Sequence, residues 1–436
     1  MVVGPYEQIP TPGGGSIPLY LLRFDAEGRL SSPQTAQLLR AEAAKATDVF
    51  LFSHGWNNVF GQALERYHSF IAGYLQQRAE QNMPTPADYR PVLVGVVWPS
   101  ASFLRPGEEG PAIAGGDTDH AYTEQMLGFA TESLAPGTAA EFTELVDGSQ
   151  RMPEARARRA VEIVLAAFAA DGDADGRVAA PTIAGMLDSW ARLDGVDKPH
   201  ADATDFGTSN AAAATTAGPQ TAGLGFFDPR TILRTATVWK MKARAGVVGA
   251  GGVADLVTSV LEDGPARLHL IGHSFGCRVL LSALTAARSA RAARSMLLLQ
   301  GAVNRWCFAA DVVGTHQPGG YHPVLDRVEQ PILATMTSHD QPLRNVFQLV
   351  MKGDHLGEPN IAALGDEDRY GALGGYGPAG LDGATATVPI LDPGQQYSLP
   401  ERAEVIAVDG SRTISGHGDI SNPSTWWLLH QLTRPS

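Results

Sequence analysis

Cysteine is nearly absent from this chain of 436 residues: only Cys277 and Cys307 occur. A disulfide scaffold is therefore excluded, and the usage fits a reducing or indifferent compartment. Charge is also sparse, at 18%, and it is unbalanced, with a net charge of −13 and a pI near 5.4. An acidic protein of this kind is a poor partner for nucleic acid and for anionic membrane surfaces. No uninterrupted apolar stretch reaches the length of a membrane span. Ala245–Val260 comes nearest, but it is short, rich in glycine and interrupted by Asp255. The opening residues MVVGPYEQIPTPGGGS lack both a basic n-region and a long apolar h-region, so they do not read as a secretory signal. These absences lead to the expectation of a cytoplasmic protein, or one exported without a signal peptide, with no integral membrane segment.

What is present is a hydrophobic content of 44%, enough for a large core. Apolar runs of strand length recur with helical patterns between them, the mark of a mostly parallel α/β sheet flanked by helices. Strands are expected at Ile17–Phe24, Asp48–Ser53, Pro91–Trp98, Arg267–Ile271, Ser295–Gly301, Pro331–Thr337 and Ala403–Val408. Helices are expected at Ser32–Ala46, Val59–Gln81, Ile232–Glu262, Cys277–Ala287 and Ser424–Leu432. The rhythm stops between Pro99 and Asp228, where Gly/Pro-rich stretches, a helix pair near 154–193 and an Ala/Thr/Gly-rich piece at 203–225 intervene. A loop that long is rarely structureless within a domain. Residues 1–98 and 229–436 are thus read as the core, and 99–228 as an inserted cap or lid subdomain. A second Gly/Pro-rich excursion spans about 353–399.

The most informative segment is Gly272-His273-Ser274-Phe275-Gly276, a G-x-S-x-G pentapeptide between a buried strand and an apolar helix. In that setting the turn lifts a serine hydroxyl above the sheet edge on strained backbone. Gly272 and Gly276 are needed because side chains there would strike the adjoining strand and helix. A serine hydroxyl needs an adjacent base, and the base needs an orienting acid. The chain supplies both in the order Ser, Asp, His. Asp340 follows the strand 331–337 in Ser-His-Asp-Gln-Pro, and His417 sits between glycines in the loop before the last helix. Asp311, one strand earlier, and Asp354, further along, are alternatives for the acid. His339 is too close to Asp340 in sequence to be the base, and His316 and His322 precede the acid. For the oxyanion, Phe275 supplies one backbone N–H, and the loop Ser53-His54-Gly55-Trp56-Asn57-Asn58 points to Trp56 for the other.

The ordered set of strand–HGWNN, strand–WPS, GHSFG, strand–TSHD and strand–GHGD resembles the α/β-hydrolase superfamily, in particular bacterial serine hydrolases of the esterase/lipase type. The resemblance covers roughly 17–98 and 230–436. It implies hydrolysis through a covalent acyl-enzyme, with no cofactor required, and does not by itself identify the substrate; the apolar cap leads to the expectation of a small-molecule or lipid-like carboxylic ester. A serine peptidase of the same fold, or a phospholipase secreted without a signal, would share these motifs. A non-catalytic, calcium-responsive interaction protein is the reading from another class. It rests on residues 171–182, DGDADGRVAAPT. There Asp171, Asp173 and Asp175 match positions 1, 3 and 5 of an EF-hand loop, and Gly176 matches the sharp turn. Thr182 stands where a bidentate glutamate is expected, so any bound Ca²⁺ is expected to be weak.

Overall fold

In a computed structural model of the chain, the described residues are 3–56, 60–100, 127–132, 134–146, 152–169, 182–195, 226–313, 317–347, 370–381, 383–400 and 402–434. The central strands are buried on both faces, which is why they read as unbroken apolar runs. In strand β3 (Asp48–Ser53) all six residues are buried. Side chains along each strand alternate between two apolar layers. Val49, Leu51, Leu268 and Leu270 enter one layer, while Phe50, Phe52 and Ile271 enter the other.

Nine strands make the main sheet: β1 (Glu7–Pro10), β2 (Ser16–Arg23), β3, β4 (Pro91–Val97), β7 (Arg267–His273), β8 (Ser295–Leu299), β9 (Ile332–Met336), β10 (Thr385–Pro389) and β11 (Val405–Asp409). Their spatial order is β1-β2-β4-β3-β7-β8-β9-β11-β10. β1 runs antiparallel to β2, and every other pair in this sheet is parallel. The edge strands β1 and β10 lie outside the apolar runs that mark the inner strands. A separate two-stranded ribbon joins β5 (Met152–Pro153) to β6 (Phe226–Phe227).

Helices cover both faces. Helix α2 (Phe60–Glu80) and the last helix, α9 (Pro423–Thr433), pack on the layer holding Phe52. The opposite layer takes α1 (Pro33–Ala43), α6 (Pro229–Val248), α7 (Ala254–Glu262) and α8 (Phe275–Ala286). Three further helices precede α6: α3 (Pro136–Val146), α4 (Glu154–Val164) and α5 (Ile183–Gly195). They pack on one another and on α6. Their Phe142, Val161 and Trp190 belong to the same apolar cluster as Val94 and Leu270 of the sheet.

The segment expected as one helix over 232–262 is broken by a π-turn at Gly249–Val253, where Gly251 leaves helical dihedrals. The break coincides with two close approaches: a β-carbon on Gly249 would stand 2.8 Å from the Ser282 β-carbon of α8, and the Gly252 N–H donates to the Gly28 carbonyl at 2.7 Å. By length and composition Thr235–Glu262 is apolar enough to cross a membrane. Within the fold it packs against α8 as a core helix. Its Lys240 and Arg244 are both ion-paired to Glu132.

Candidate active site

Because the inner strands are parallel, the residues that follow β3, β7, β9 and β11 emerge at one edge of the sheet, where α/β proteins place their ligands. Ser274 follows β7 directly and caps α8, with φ 54° and ψ −125°. A non-glycine residue in that region costs about 1–3 kcal/mol and persists only where its surroundings enforce it. Here the backbone is tied on both sides. The Ser274 N–H donates to the Leu299 carbonyl at 3.1 Å, and its carbonyl accepts from Cys277 at 3.1 Å and Ala302 at 3.2 Å. The glycines on either side answer to packing. A β-carbon on Gly272 would stand 2.8 Å from the Cys277 α-carbon, and one on Gly276 would overlap the carbonyls of Ser53 and His54.

The structure brings Ser274, His417 and Asp340 into one line. His417 Nε2 lies 2.8 Å from Ser274 Oγ, and His417 Nδ1 lies 2.7 Å from Asp340 Oδ2. An ionised carboxylate only accepts, so Nδ1 carries the proton and Nε2 offers its lone pair to the serine hydroxyl. The second oxygen of Asp340 accepts the Leu343 N–H at 3.0 Å, which fixes the carboxylate plane. All three side chains are buried, at 1%, 5% and 0% exposure for Ser274, His417 and Asp340. A hydrogen bond to charge is stronger in such a place than in water.

The alternatives sit elsewhere. Asp311 is exposed, and Asp354 and His316 lie outside the described residues. His339 is exposed and bonded to the Ser411 carbonyl, and His322 to the Phe308 carbonyl.

The loop after β3 lies against Ser274. Its geometry depends on His54, Tyr67 and Trp98. The Tyr67 hydroxyl accepts the His54 N–H at 3.0 Å and donates to the Val96 carbonyl. Trp98 Nε1 donates to the His54 carbonyl at 3.0 Å, and the His54 ring stacks on Trp98 with 5.7 Å between centroids. Burial brings the His54 imidazole down to about 4, so it is neutral at pH 7. Its Nδ1 donates to the Gly55 carbonyl at 2.9 Å. A planar trans peptide sets N–H opposite C=O, so fixing that carbonyl also fixes the direction of the Trp56 N–H. Phe275 opens α8, where first-turn N–H groups have no intrahelical partner. The Trp56 and Phe275 rings lie 6.4 Å apart.

A second Ser–His–Asp array occupies the other end of the strands. His269 Nδ1 is 2.7 Å from Ser295 Oγ, and its Nε2 is 3.0 Å from Asp48 Oδ1. Arg267 pairs with the same carboxylate at 2.8 Å. All three members of this array are 1% exposed. Ser295 is an ordinary strand residue at the start of β8, without the positive φ of Ser274. This array satisfies buried polar groups inside the sheet.

Asp171, Asp173 and Asp175 lie outside the described residues. Thr182 does not: its hydroxyl accepts the Gly185 N–H at 3.2 Å, capping α5. Among the described residues no group of three or more His, Cys, Asp or Glu side chains is placed to hold a metal ion. Compared with protein-family models, curated proteins and solved structures, the chain shows no match.

Proposed function

We propose that the chain is a serine hydrolase of the α/β-hydrolase family that cleaves carboxylic esters through an acyl-enzyme on Ser274. The observation that carries this reading is the hydrogen-bonded line Ser274–His417–Asp340, headed by a serine at φ 54° between a strand and a helix. The order along the chain supports it as well. Nucleophile, acid and base follow β7, β9 and β11 in turn, at the same edge of a mostly parallel sheet.

In this reading His417 Nε2 takes the Ser274 proton as Oγ attacks the acyl carbon. Asp340 holds the ring and stabilises the imidazolium that forms. The Phe275 and Trp56 amides receive the negative charge that develops on the carbonyl oxygen. His417 then returns the proton to the leaving alcohol. Water, deprotonated by the same nitrogen, releases the acid. No step calls for a metal or an organic cofactor. Residues 99–228 are taken as the cap of the enzyme, and their apolar helices favour an acyl or lipid-like substrate.

The test is labelling with a fluorophosphonate and mapping of the adduct by mass spectrometry, followed by panels of esters of graded acyl length and of peptide amides. Labelling at Ser274, lost in Ser274→Ala, with turnover of esters but not amides, is the expected result. An adduct on another serine removes the proposal.

A further inference from the structure

His417 stands between Gly416 and Gly418, on the loop that runs from β11 to α9. Glycines on both sides leave the loop little conformational preference of its own. A β-carbon on Gly416 would meet nothing within 4 Å, so packing anchors the loop only at its flanks, through buried Ile414 and Ile420. Bonds within the loop give it shape: the Ser415 N–H and hydroxyl both reach Asp419 Oδ2 at 2.9 Å. They do not set its distance from Ser274.

Side chains at the sheet edge also reach the loop: the Thr337 hydroxyl donates to the Ile414 carbonyl at 3.0 Å, and two further residues act nearer the ring. His273 Nε2 is 2.9 Å from the carbonyl oxygen of His417. Gln300 Nε2 is 3.3 Å from the carbonyl oxygens of both Gly416 and Asp419. Three carbonyls around His417 are thus held by two side chains, one from the end of β7 and one just past β8.

Both donors are themselves fixed. A carbonyl only accepts, so His273 must carry its proton on Nε2. Its Nδ1 has no partner among the described residues and faces Gly55, whose β-carbon would lie 3.2 Å away. Burial, reinforced by the neighbouring His417, holds the His273 imidazole well below its ordinary range, so it stays neutral. Gln300 has φ 41°, a costly choice for a side-chain-bearing residue. Its side-chain oxygen accepts the Thr335 hydroxyl at 3.0 Å, which turns the amide nitrogen toward the loop. Both side chains are buried.

We propose that His273 and Gln300 are positioning residues: they anchor the carbonyls of Gly416, His417 and Asp419, and so set the reach of the His417 ring to Ser274. The inference rests on the hydrolase reading above. In it, consecutive residues divide the work, with Ser274 reacting and His273 holding the backbone of its base.

A matched pair of substitutions tests it. In His273→Gln the amide nitrogen sits where Nε2 sat and can still donate. In His273→Asn it sits nearer the Nδ1 position and falls short. The Asn variant is expected to lose about ten-fold in kcat and in the rate of Ser274 labelling, the loss of one hydrogen bond to a buried acceptor. KM stays unchanged and the Gln variant recovers most of the rate. Gln300→Met, which removes both amide donors at similar volume, is expected to act in the same direction. The downfield proton resonance of the His417–Asp340 hydrogen bond reports ring placement without any turnover. It should broaden or vanish in His273→Asn and Gln300→Met and persist in His273→Gln.

Equal rates and an unchanged resonance in the Asn and Met variants overturn the inference. If the wild-type chain is neither labelled nor active, the hydrolase reading fails, and the resonance alone still decides whether the two side chains place His417. If the Asn variant does not fold, the Gln300→Met comparison decides.

Discussion

Gly55 and Ser274 touch so closely that a β-carbon on Gly55 would stand 2.7 Å from the β-carbon of Ser274. The two residues are far apart in sequence, at the ends of neighbouring strands β3 and β7. Their contact holds the Gly55–Trp56 peptide against Ser274, where the proposed oxyanion donor would have to lie. Gly55→Ala must push either the loop or the serine aside, and a displacement of this kind costs about a hundredfold in rate. Labelling of Ser274 should slow accordingly, while secondary structure is retained. Gly61→Ala is the control. Its β-carbon meets nothing, and as a helix residue it should leave labelling intact and stabilise by roughly 0.5–1 kcal/mol.

Asp340 is the acid that touches His417, whereas Asp311 is exposed on the protein surface. Asp340→Asn keeps the shape but offers the ring an amide, which favours the wrong tautomer. The expected loss in kcat is about 10³–10⁴-fold. Asp311→Asn should leave kcat within a factor of about two, in line with an ordinary surface substitution. Steady-state kinetics on any ester that the wild type hydrolyses separates the two, and the reverse ranking would move the acid one strand earlier.

Much of this arrangement is legible in the sequence because its requirements are local. The elbow needs two glycines and a serine at fixed spacing, and doubly buried strands need unbroken apolar runs, so β3 and β4 are found nearly to the residue and β7 from its first residue, two short of its end. Edge strands carry no such signal. β10 buries none of its residues fully, and β1 buries only Ile9, so neither pattern could be seen against loop. The break at Gly249–Val253 lies where the chain comes close to α8 and to Gly28, contacts that no window along the helix contains. The parts played by His273, Gln300 and His54 were equally hidden. His273 and Gln300 hold carbonyls more than 100 residues away, and the His54 anchors, Tyr67 and Trp98, come from α2 and from just past β4. Their meaning comes only from topology.

Thr182 occupies position 12 of the EF-hand-like segment, but its hydroxyl is engaged with the Gly185 N–H. Removing that cap in Thr182→Ala should cost about 1 kcal/mol, the ordinary worth of a threonine N-cap. The loss should be the same with and without calcium, read by urea denaturation. With no glutamate at that position, Asp171, Asp173 and Asp175 are expected to bind Ca²⁺ no more tightly than about 10⁻⁴ M. A chelator should therefore leave ester hydrolysis unchanged. Loss of activity on chelation would assign the insert a metal-dependent role.

Acid should unfold this protein through its buried histidines. Burial brings His54 and His430 down to about 4, lowers His273 far below its ordinary range, and lowers His269 against the opposing pull of Asp48. A histidine whose imidazole is depressed on folding takes up its proton first in the unfolded chain. Stability is then full above the unfolded value of 6.5 and falls as the pH drops from there to about 4. His54 alone, fully buried and brought from 6.5 to about 4, contributes on the order of 3 kcal/mol to that loss. Burial raises the Asp48 carboxyl, but its bonds to His269 and Arg267 outweigh this and bring it to about 2. Its contribution is therefore present above the unfolded carboxylate value and is lost only below about pH 4. Urea denaturation at pH 7, 5.5 and 4.5 should show the midpoint falling at each step. In His430→Gln the slope should flatten by about 1.4 kcal/mol per pH unit, the equivalent of one proton. A midpoint that holds steady from pH 7 to 4.5 would mean that these rings accept protons where they are buried.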